Sequence, residues 1–272
     1  MYDVIVVDLD GTLLSSEHKV TDYTKKIIQT LYKKKFYLVF ATGCHYFEVL
    51  KICNYCQVSA FMITSNGAKI YDLNRDLIFT CSIKKDIIIK LLNNIDLGTN
   101  IVMHMYCNNQ WYINKTNIEQ YFCHKGSSFK YKVLDFNSFT MDNVSKVFFT
   151  SNNCNQLSLL KKKIECLFNK DLNLSFSSTT CFEIMSKKVS KGNALIFLMK
   201  YLKISLKNCI SFGNAMNDIE MLRISGKACI VQNADLELIN QLPHIEVIKS
   251  NNEDGVASYL DCLYKINYDN IK

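Results

Sequence analysis

Apolar and polar positions alternate along the first quarter of the chain in blocks that predict strands and helices in turn. The β-branched run Val4–Val7 has the length of a buried strand. Residues 21–34 carry apolar side chains at helical spacing, and a second apolar run, 36–41, follows. A helix over 45–55 and a strand at 61–63 continue the series. Strands that alternate with helices in this way predict right-handed crossovers and a parallel sheet.

The middle of the chain has a different pattern. Two segments with helical spacing, 85–94 and 154–169, are mixed with strand-like apolar runs at 101–106, 111–113, 144–149, 172–176 and 181–185. This order is typical of an α+β domain with helices on one face of an antiparallel sheet.

After residue 189 the alternation of strands and helices returns. Helices are predicted over 191–202, 215–224 and 253–263, and strands over 209–212, 228–231 and 247–248. We therefore expect an α/β protein with a Rossmann-like core of residues 1–84 and 189–272. A cap domain of residues 85–188, with α+β structure, is expected to be inserted into it.

Composition limits the classes of function. The formal charge of +7 comes from 32 basic and 25 acidic residues, and it favours anionic small molecules as ligands. Arg75 and Arg223 are the only arginines, so base reading in nucleic acid is not expected. No apolar stretch has the length of a membrane span and no signal peptide is evident, which predicts a cytoplasmic protein without a membrane partner. The oligomeric state is left open.

The 12 cysteines are expected to be reduced thiols that pack as small apolar residues. Cys53 and Cys56 form one Cys-x-x-Cys pair, but a structural zinc site would need a second pair. The pair also lies near the end of a predicted helix, whereas a redox pair would begin one. We therefore interpret these two cysteines as structural.

Polar residues cluster where the strands of the predicted core end, which is where open parallel sheets bind ligands. Asp8 and Asp10 follow the first strand, and Thr42 with Gly43 follows the second; Asn214, Asn217 and Asp218 follow a late strand, and Lys191 opens a late helix. Carboxylates, a hydroxyl, backbone amides and a cation at one edge of a sheet are the groups of a metal-assisted phosphate site.

The segment Asp8–Leu14 carries the strongest single signal. Its two carboxylates, one residue apart, can both approach one cavity if the chain turns at Gly11. Two neighbouring buried carboxylates need a cation, and oxygen ligands suit Mg²⁺. The alternative, that both aspartates only begin a turn, would be preferred for an isolated Asp-x-Asp, but not directly after an apolar strand.

Four segments resemble, in the same order, the four motifs of the haloacid-dehalogenase (HAD) superfamily: Asp8–Leu14, Phe40–Gly43, Ser190–Gly192 and Phe212–Asp218. Ser65–Ala68 and the insertion between the second and third motifs resemble its Cof-type branch, subclass IIB. Within that branch, 62–68, 144–150 and 189–192 are especially similar to bacterial phosphatases of sugar phosphates and pyridoxal 5′-phosphate.

The resemblance implies a role for each matched residue. Asp8 would be the nucleophile that forms an aspartyl-phosphate, and Asp10 the general acid and base. Mg²⁺ would be held by Asp8, Asp10 (through its carbonyl), Asn214 and Asp218. The phosphoryl oxygens would be bound by the Leu9 backbone, Thr42, Gly43, Lys191 and Asn217. The expected ligand is a small phosphorylated metabolite.

The chain departs from the family pattern at two positions. Asn214 stands where the family usually has an Asp that ligates the metal, which predicts weaker Mg²⁺ binding. Cys44 stands where relatives commonly have Arg after Thr-Gly.

Three other functions stay open. A phospho-ligand binding protein whose catalysis has weakened is suggested by the residues at positions 44 and 214. A nucleic-acid-associated protein is suggested only by the charge. A phosphotransferase would intercept the same intermediate with another acceptor.

Overall fold

The computed structural model describes residues 2–115, 130–135, 139–168 and 171–266. The chain divides into two compact units, which are described separately. Met1–Phe79 with Ser190–Lys272 form the core unit, and Thr80–Val189 form the insert unit. The role of the insert unit as a cap stays a prediction.

The first part of the chain forms, in order, β1 (Val4–Val7), α1 (Asp22–Lys33), β2 (Tyr37–Ala41), α2 (Tyr46–Cys56), β3 (Phe61–Thr64), β4 (Lys69–Tyr71) and β5 (Leu77–Thr80). The insert unit follows with α3 (Lys85–Asn94), β6 (Val102–Cys107), β7 (Gln110–Ile113), β8 (Tyr131–Val133), β9 (Val144–Thr150), α4 (Cys154–Phe168), β10 (Leu172–Ser178) and β11 (Cys181–Ser186). The last part forms α5 (Lys191–Leu202), β12 (Cys209–Gly213), α6 (Ile219–Ile224), β13 (Lys227–Val231), α7 (Leu236–Gln241), β14 (Glu246–Ile248) and α8 (Gly255–Tyr264).

The core unit contains one sheet with the strand order β14-β13-β12-β1-β2-β3-β4-β5. The pairs from β14 to β3 are parallel, which confirms the predicted α/β fold. β4 pairs antiparallel with β3, because the short 3₁₀ turn Ser65–Gly67 between them leaves no room for a helical crossover. The sequence pattern did not predict this antiparallel edge.

The core sheet is covered on both faces, and β1 shows how. Ile5 and Val7 point into the cluster formed with α1, α2 and α8, whereas Val4 and Val6 point into the cluster formed with α5 and α6. A strand that is buried on both sides reads as a continuous apolar run, which is why no polar residue interrupts Val4–Val7. β1 therefore lies in the middle of the sheet and places Asp8 at the carboxyl edge of that sheet.

The insert unit contains a second sheet with the order β10-β11-β9-β6-β7-β8. Its pairs are antiparallel except for β7 with β8, which are parallel. On one face, Met103, Met105 and Phe149 pack with Ile88 of α3 and Ile164 of α4. The α+β structure expected for this region is therefore present.

Cys53 and Cys56 are buried side chains of α2 with free thiols, in agreement with a structural role. Within the part of the chain that the structure describes, none of the helices combines the length and the apolar character that crossing a bilayer requires.

Candidate active site

Asp8 stands at the carboxyl end of β1, where its backbone N–H donates to Phe212 O of the neighbouring β12 at 3.1 Å. Its carboxylate is buried, and Oδ1 accepts a hydrogen bond from Lys191 Nζ at 2.6 Å. Oδ2 is buried and has no hydrogen-bond partner among the described residues. Because an unpaired buried acceptor is costly, this oxygen marks a position that suits a cation or an electrophile.

Lys191 joins Asp8 to a second carboxylate. Its ammonium is fully buried and also donates to Asp218 Oδ1 at 2.6 Å. The other oxygen, Asp218 Oδ2, accepts from the backbone N–H groups of Asn214 at 3.0 Å and Ala215 at 3.1 Å. Asp218 thus fixes both the lysine and the turn after β12.

Burial and charge act against each other in this triad. Burial raises the pKa of Asp8 to about 7, even though the charge of Lys191 lowers it; the negative charge of Asp218 adds to the rise. Burial alone would lower the pKa of Lys191, but the two carboxylates outweigh it and the net shift is upward. The lysine is therefore held as a cation beside a carboxylate whose ionisation is disfavoured.

The turn after Asp8 contacts the loop after β12 through Asn214. Thr12 Oγ1 donates to Asn214 Oδ1 at 3.1 Å. Gly11 has φ +77°, and a Cβ at this position would lie 2.5 Å from Asn214 Nδ2. A larger residue at this position would be strained by the positive φ and would displace the amide of Asn214.

Asp10 contacts two side chains from other parts of the core unit. Oδ1 lies 2.9 Å from His18 Nδ1, and Oδ2 accepts a hydrogen bond from Cys44 Sγ at 2.9 Å. The Asp10 side chain is 38% exposed, in contrast to the buried Asp8. The two carboxylates of the Asp-x-Asp pair thus have different environments, which suits different roles.

The loop after β2 is linked to the turn after β3. Thr42 Oγ1 accepts from Cys44 N at 3.0 Å, and Thr42 O accepts from Asn66 N at 2.9 Å. Asn66 Oδ1 accepts from Asn217 Nδ2 at 3.0 Å, while Asn217 Oδ1 is buried without a hydrogen-bond partner among the described residues. The side chain of Leu9 is buried in the core, so only its backbone can serve a ligand.

Hydrogen bonds bring together several of the site residues that were predicted from the sequence. Asp8, Lys191 and Asp218 form one hydrogen-bonded triad, and Asn214 is bonded to Asp218. Gly43 follows Thr42 in the loop after β2. His18 was not singled out from the sequence, because it lies in a polar turn with no periodic or motif signal.

The side chains at this site suit a hard divalent cation as ligands only in part. Among the described residues, no group of three or more His, Cys, Asp or Glu side chains is arranged to hold a metal ion. Both oxygens of Asp218 are already engaged, whereas Asp8 Oδ2 lacks a hydrogen-bond partner. Asn214 adds an amide oxygen, which a count of carboxylates, thiols and imidazoles omits. The geometry therefore favours Asp8 over Asp218 as a ligand, whereas the amide oxygen of Asn214 already accepts a hydrogen bond from Thr12 Oγ1.

The sheet of the insert unit has a second, polar and aromatic face. His104 Nε2 lies 2.8 Å from Thr150 Oγ1, and Trp111 Nε1 donates to His104 Nδ1 at 3.2 Å. Lys146 Nζ and Glu183 Oε1 form an ion pair of 2.6 Å with side chains only 4% and 3% exposed. Burial of such an ion pair carries a desolvation cost, and apolar packing of similar volume is often equally stable or more stable.

Comparison with known proteins identifies the class that this fold and site define. The family model of haloacid dehalogenase-like hydrolases matches residues 5–260, and the chain belongs to this family. The predicted HAD resemblance is thereby confirmed, and the protein is a phosphatase of the HAD superfamily.

Two relatives and one solved structure illustrate what this chain is similar to. A provisionally named phosphatase of Buchnera aphidicola subsp. Schizaphis graminum is 49% identical over 96% of this chain and 95% of its own. An HMP-PP phosphatase of Escherichia fergusonii is 31% identical over 93% and 92% of the two chains. A solved sugar phosphatase of HAD subclass IIB covers 96% of this chain and 98% of its own with a TM-score of 0.78, at 16% identity, and so supports the fold.

Proposed function

We propose that the protein hydrolyses small phosphate monoesters through an aspartyl-phosphate on Asp8, with Mg²⁺ as cofactor. The observation that carries this proposal is the hydrogen bonding of the Asp8 carboxylate. Its Oδ1 is held by Lys191 at 2.6 Å, while its buried Oδ2 has no hydrogen-bond partner among the described residues. In a carboxylate fixed in this way, the unengaged Oδ2 is suited to attack phosphorus, and Oδ1, which has a second lone pair, would be the oxygen that contacts Mg²⁺.

The groups around Asp8 supply the positive charge and the donors that the transferring phosphoryl group needs. Lys191 places a buried ammonium beside the nucleophile. In the proposal, the Leu9 backbone, Thr42 with Gly43, and Asn217 bind the remaining phosphoryl oxygens. Stabilisation of charge on the phosphoryl oxygens is the main catalytic factor in phosphoryl transfer.

Asp10 serves as the general acid and base of the proposed reaction. It would give a proton to the leaving-group oxygen and then take one from the water that hydrolyses the aspartyl-phosphate. Its partial exposure of 38% suits a group that meets both substrate and water, whereas Asp8 is buried.

Mg²⁺ would be held by Asp8, the carbonyl of Asp10 and Asn214, with Asp218 supporting the loop. When bound, the ion would neutralise charge on the phosphoryl oxygens. Because Asn214 provides an amide oxygen instead of a carboxylate, we expect weaker Mg²⁺ binding than in an Asn214→Asp variant. Titration of Mg²⁺ against activity in both proteins tests this, and equal metal affinity would contradict it.

The substrate is proposed by similarity. Sugar phosphates and pyridoxal 5′-phosphate are the leading classes, and the relatives named for HMP-PP and for sugar phosphates support compact phosphorylated metabolites. A panel containing sugar phosphates, pyridoxal 5′-phosphate and HMP-PP, with phosphate release measured at several Mg²⁺ concentrations, would rank them.

The decisive experiment compares the natural protein with Asp8→Asn on an aryl phosphate in the presence of Mg²⁺. We expect turnover in the first, none above background in the second, and an acid-stable phosphorylated protein after rapid quenching of the first only. Asp76→Asn, a change at an exposed aspartate, is the matched control and should retain activity. Turnover by Asp8→Asn at the natural rate would refute the proposal.

A phospho-ligand binding protein with weakened catalysis is the second candidate, and Asn214 and Cys44 are the residues that favour it. It predicts saturable binding of inorganic phosphate or vanadate with no measurable turnover of any panel member. A phosphotransferase would instead show phosphorylated acceptor when an alcohol is added to a reacting mixture.

A further inference from the structure

The carboxylate of Asp10 is held from two sides within the core unit. One oxygen lies 2.9 Å from His18 Nδ1 and the other accepts from Cys44 Sγ at 2.9 Å. A hydrogen bond on each oxygen restricts both the position and the plane of a carboxylate. This arrangement joins a surface turn, the end of β1 and the loop after β2 at a single carboxylate.

The turn that carries His18 is itself fixed. His18 N donates to Ser15 O at 2.8 Å, and Ser15 N donates to Lys19 O at 3.0 Å. Ser16 is bonded twice to the side chain of Asn252, both times at 2.9 Å. His18 adopts a left-handed conformation with φ 56°, which is unusual for a residue other than glycine and needs such support.

Cys44 is anchored equally well. Its backbone N–H donates to Thr42 Oγ1 and its carbonyl accepts from Ser65 N, each at 3.0 Å. Burial, with the nearby charge of Asp10, raises the pKa of the Cys44 thiol well above its ordinary value. The sulfur therefore keeps its proton and remains a donor to the carboxylate.

We propose that His18 and Cys44 are positioning residues that orient the carboxylate of Asp10 toward the leaving-group oxygen. The inference rests on the proposed function, in which Asp10 is the general acid. It assigns a role to the thiol at position 44, where the family commonly has Arg, and to a histidine outside the motifs.

The consequence is a dependence on the leaving group. An aliphatic alkoxide must receive a proton as it departs, whereas the anion of an acidic phenol can leave without one. Loss of the orientation of Asp10 should therefore slow transfer of the phosphoryl group to Asp8 much more from an alkyl phosphate than from p-nitrophenyl phosphate. A structural defect of the whole site would slow both substrates equally.

The variants follow from the local geometry. His18→Gly removes the imidazole and accepts the positive φ, while His18→Asn also tolerates this φ and keeps a polar nitrogen near the position of Nδ1. Cys44→Ala removes the donor, and Cys44→Ser retains it. Lys19→Ala is the control, because Lys19 is exposed and pairs with Glu17.

Steady-state kinetics with glycerol phosphate and p-nitrophenyl phosphate provide the test. We expect the double variant His18→Gly/Cys44→Ala to lower kcat/KM for glycerol phosphate about tenfold, a part of the ~10²–10⁴-fold contribution of general acid catalysis. This ratio contains only the steps up to departure of the leaving group, so it excludes the later hydrolysis of the aspartyl-phosphate, in which Asp10 acts as the base for either substrate. Its kcat/KM for p-nitrophenyl phosphate should fall less than about twofold. His18→Asn and Cys44→Ser should recover most of the loss, and Lys19→Ala should behave as the natural protein.

Three results would overturn the inference: equal losses of kcat/KM on both substrates, conservative variants as impaired as the truncations, or higher activity in the double variant. The last would mean that the two residues hold Asp10 away from the substrate. If the double variant does not fold, as judged by circular dichroism, Cys44→Ala and Cys44→Ser decide by the same comparison. Asp8→Asn distinguishes failure of this inference from failure of the proposed function, because activity in that variant refutes the proposed function itself.

Discussion

Replacement of Lys191 by Met removes the charge that links Asp8 to Asp218 and leaves most of the side-chain volume. The ammonium is fully buried and donates to each carboxylate at 2.6 Å. Hydrogen bonds to charged groups contribute about 1.5–3 kcal/mol each. Removal of one partner from a buried ion pair costs about 3–5 kcal/mol, because the remaining charge is left unpaired. We therefore expect the free energy of unfolding to fall by about 4 kcal/mol.

The assay is urea unfolding at neutral pH in EDTA, so that no divalent ion replaces the lysine. Far-UV circular dichroism reports both units, whereas the fluorescence of Trp111, the only tryptophan, reports the insert unit. Separate transitions would be analysed unit by unit. Lys200→Met is the matched control, because Lys200 is exposed on the same helix, and it should change stability by less than about 0.5 kcal/mol.

A loss below about 1 kcal/mol in Lys191→Met would refute the argument from the buried ion pairs. A double-mutant cycle adds a second check. Asp8→Asn removes one of the charges that the lysine neutralises, so the combined variant should lose at least about 1 kcal/mol less than the sum of the single losses. Additive losses would show that Lys191 and Asp8 are not coupled.

The remaining predictions concern stability at three other places. Gly67→Ala should cost at least about 2 kcal/mol more than Gly98→Ala, because a Cβ at Gly67 (φ +101°) would clash with the backbone oxygen of Ser190, whereas Gly98 (φ +55°) faces open space. Equal losses in chemical denaturation would contradict this. Lys146→Met should lower the free energy of unfolding of the insert unit by about 3–5 kcal/mol, because Glu183 is left as an unpaired buried charge. Lys146→Met/Glu183→Leu should lower it by much less, because the double change leaves no unpaired buried charge. The unfolding transition followed by Trp fluorescence measures both losses, and an equal or larger loss in the double variant would refute this reasoning. The raised pKa of Asp8, about 7 against an ordinary 3.8, means that the unfolded state releases this proton first as pH rises. The natural protein should then lose stability relative to Asp8→Asn as the pH rises from about 4 to about 7 in EDTA. A stability difference that is constant with pH would contradict that sign.

Local patterns in the sequence were sufficient for most of the fold. The apolar run of β1 and the helical spacing of α5 were found because burial on one or both faces imposes a period that can be read along the chain. Asp8 and Lys191 were found because their motif segments adjoin those elements. The short strands β4 and β5 were not predicted, because three or four residues carry little periodicity; of the equally short β14, only the last two residues were predicted.

In the segment 215–224, which was predicted as one helix, tertiary contacts decide the local structure. The structure has a 3₁₀ turn, Met216–Asp218, followed by the short helix α6. Asp218 accepts from the backbone N–H groups of residues 214 and 215 and binds Lys191, so its side chain shapes the turn for the site. A pattern of apolar spacing contains no information about these hydrogen bonds of Asp218.

The sequence by itself determined the class of fold, the family and the identity of the nucleophile candidate, because each depends on residues that are neighbours along the chain. Only the tertiary structure decided that Asp8 Oδ2 lacks a hydrogen-bond partner among the described residues, and that Asp10 lies between His18 and Cys44. Hydrogen bonds between residues distant in sequence depend on how strands and turns are brought together. Periodicity along the chain therefore predicts the elements, whereas the folded arrangement sets the environment of each reactive group.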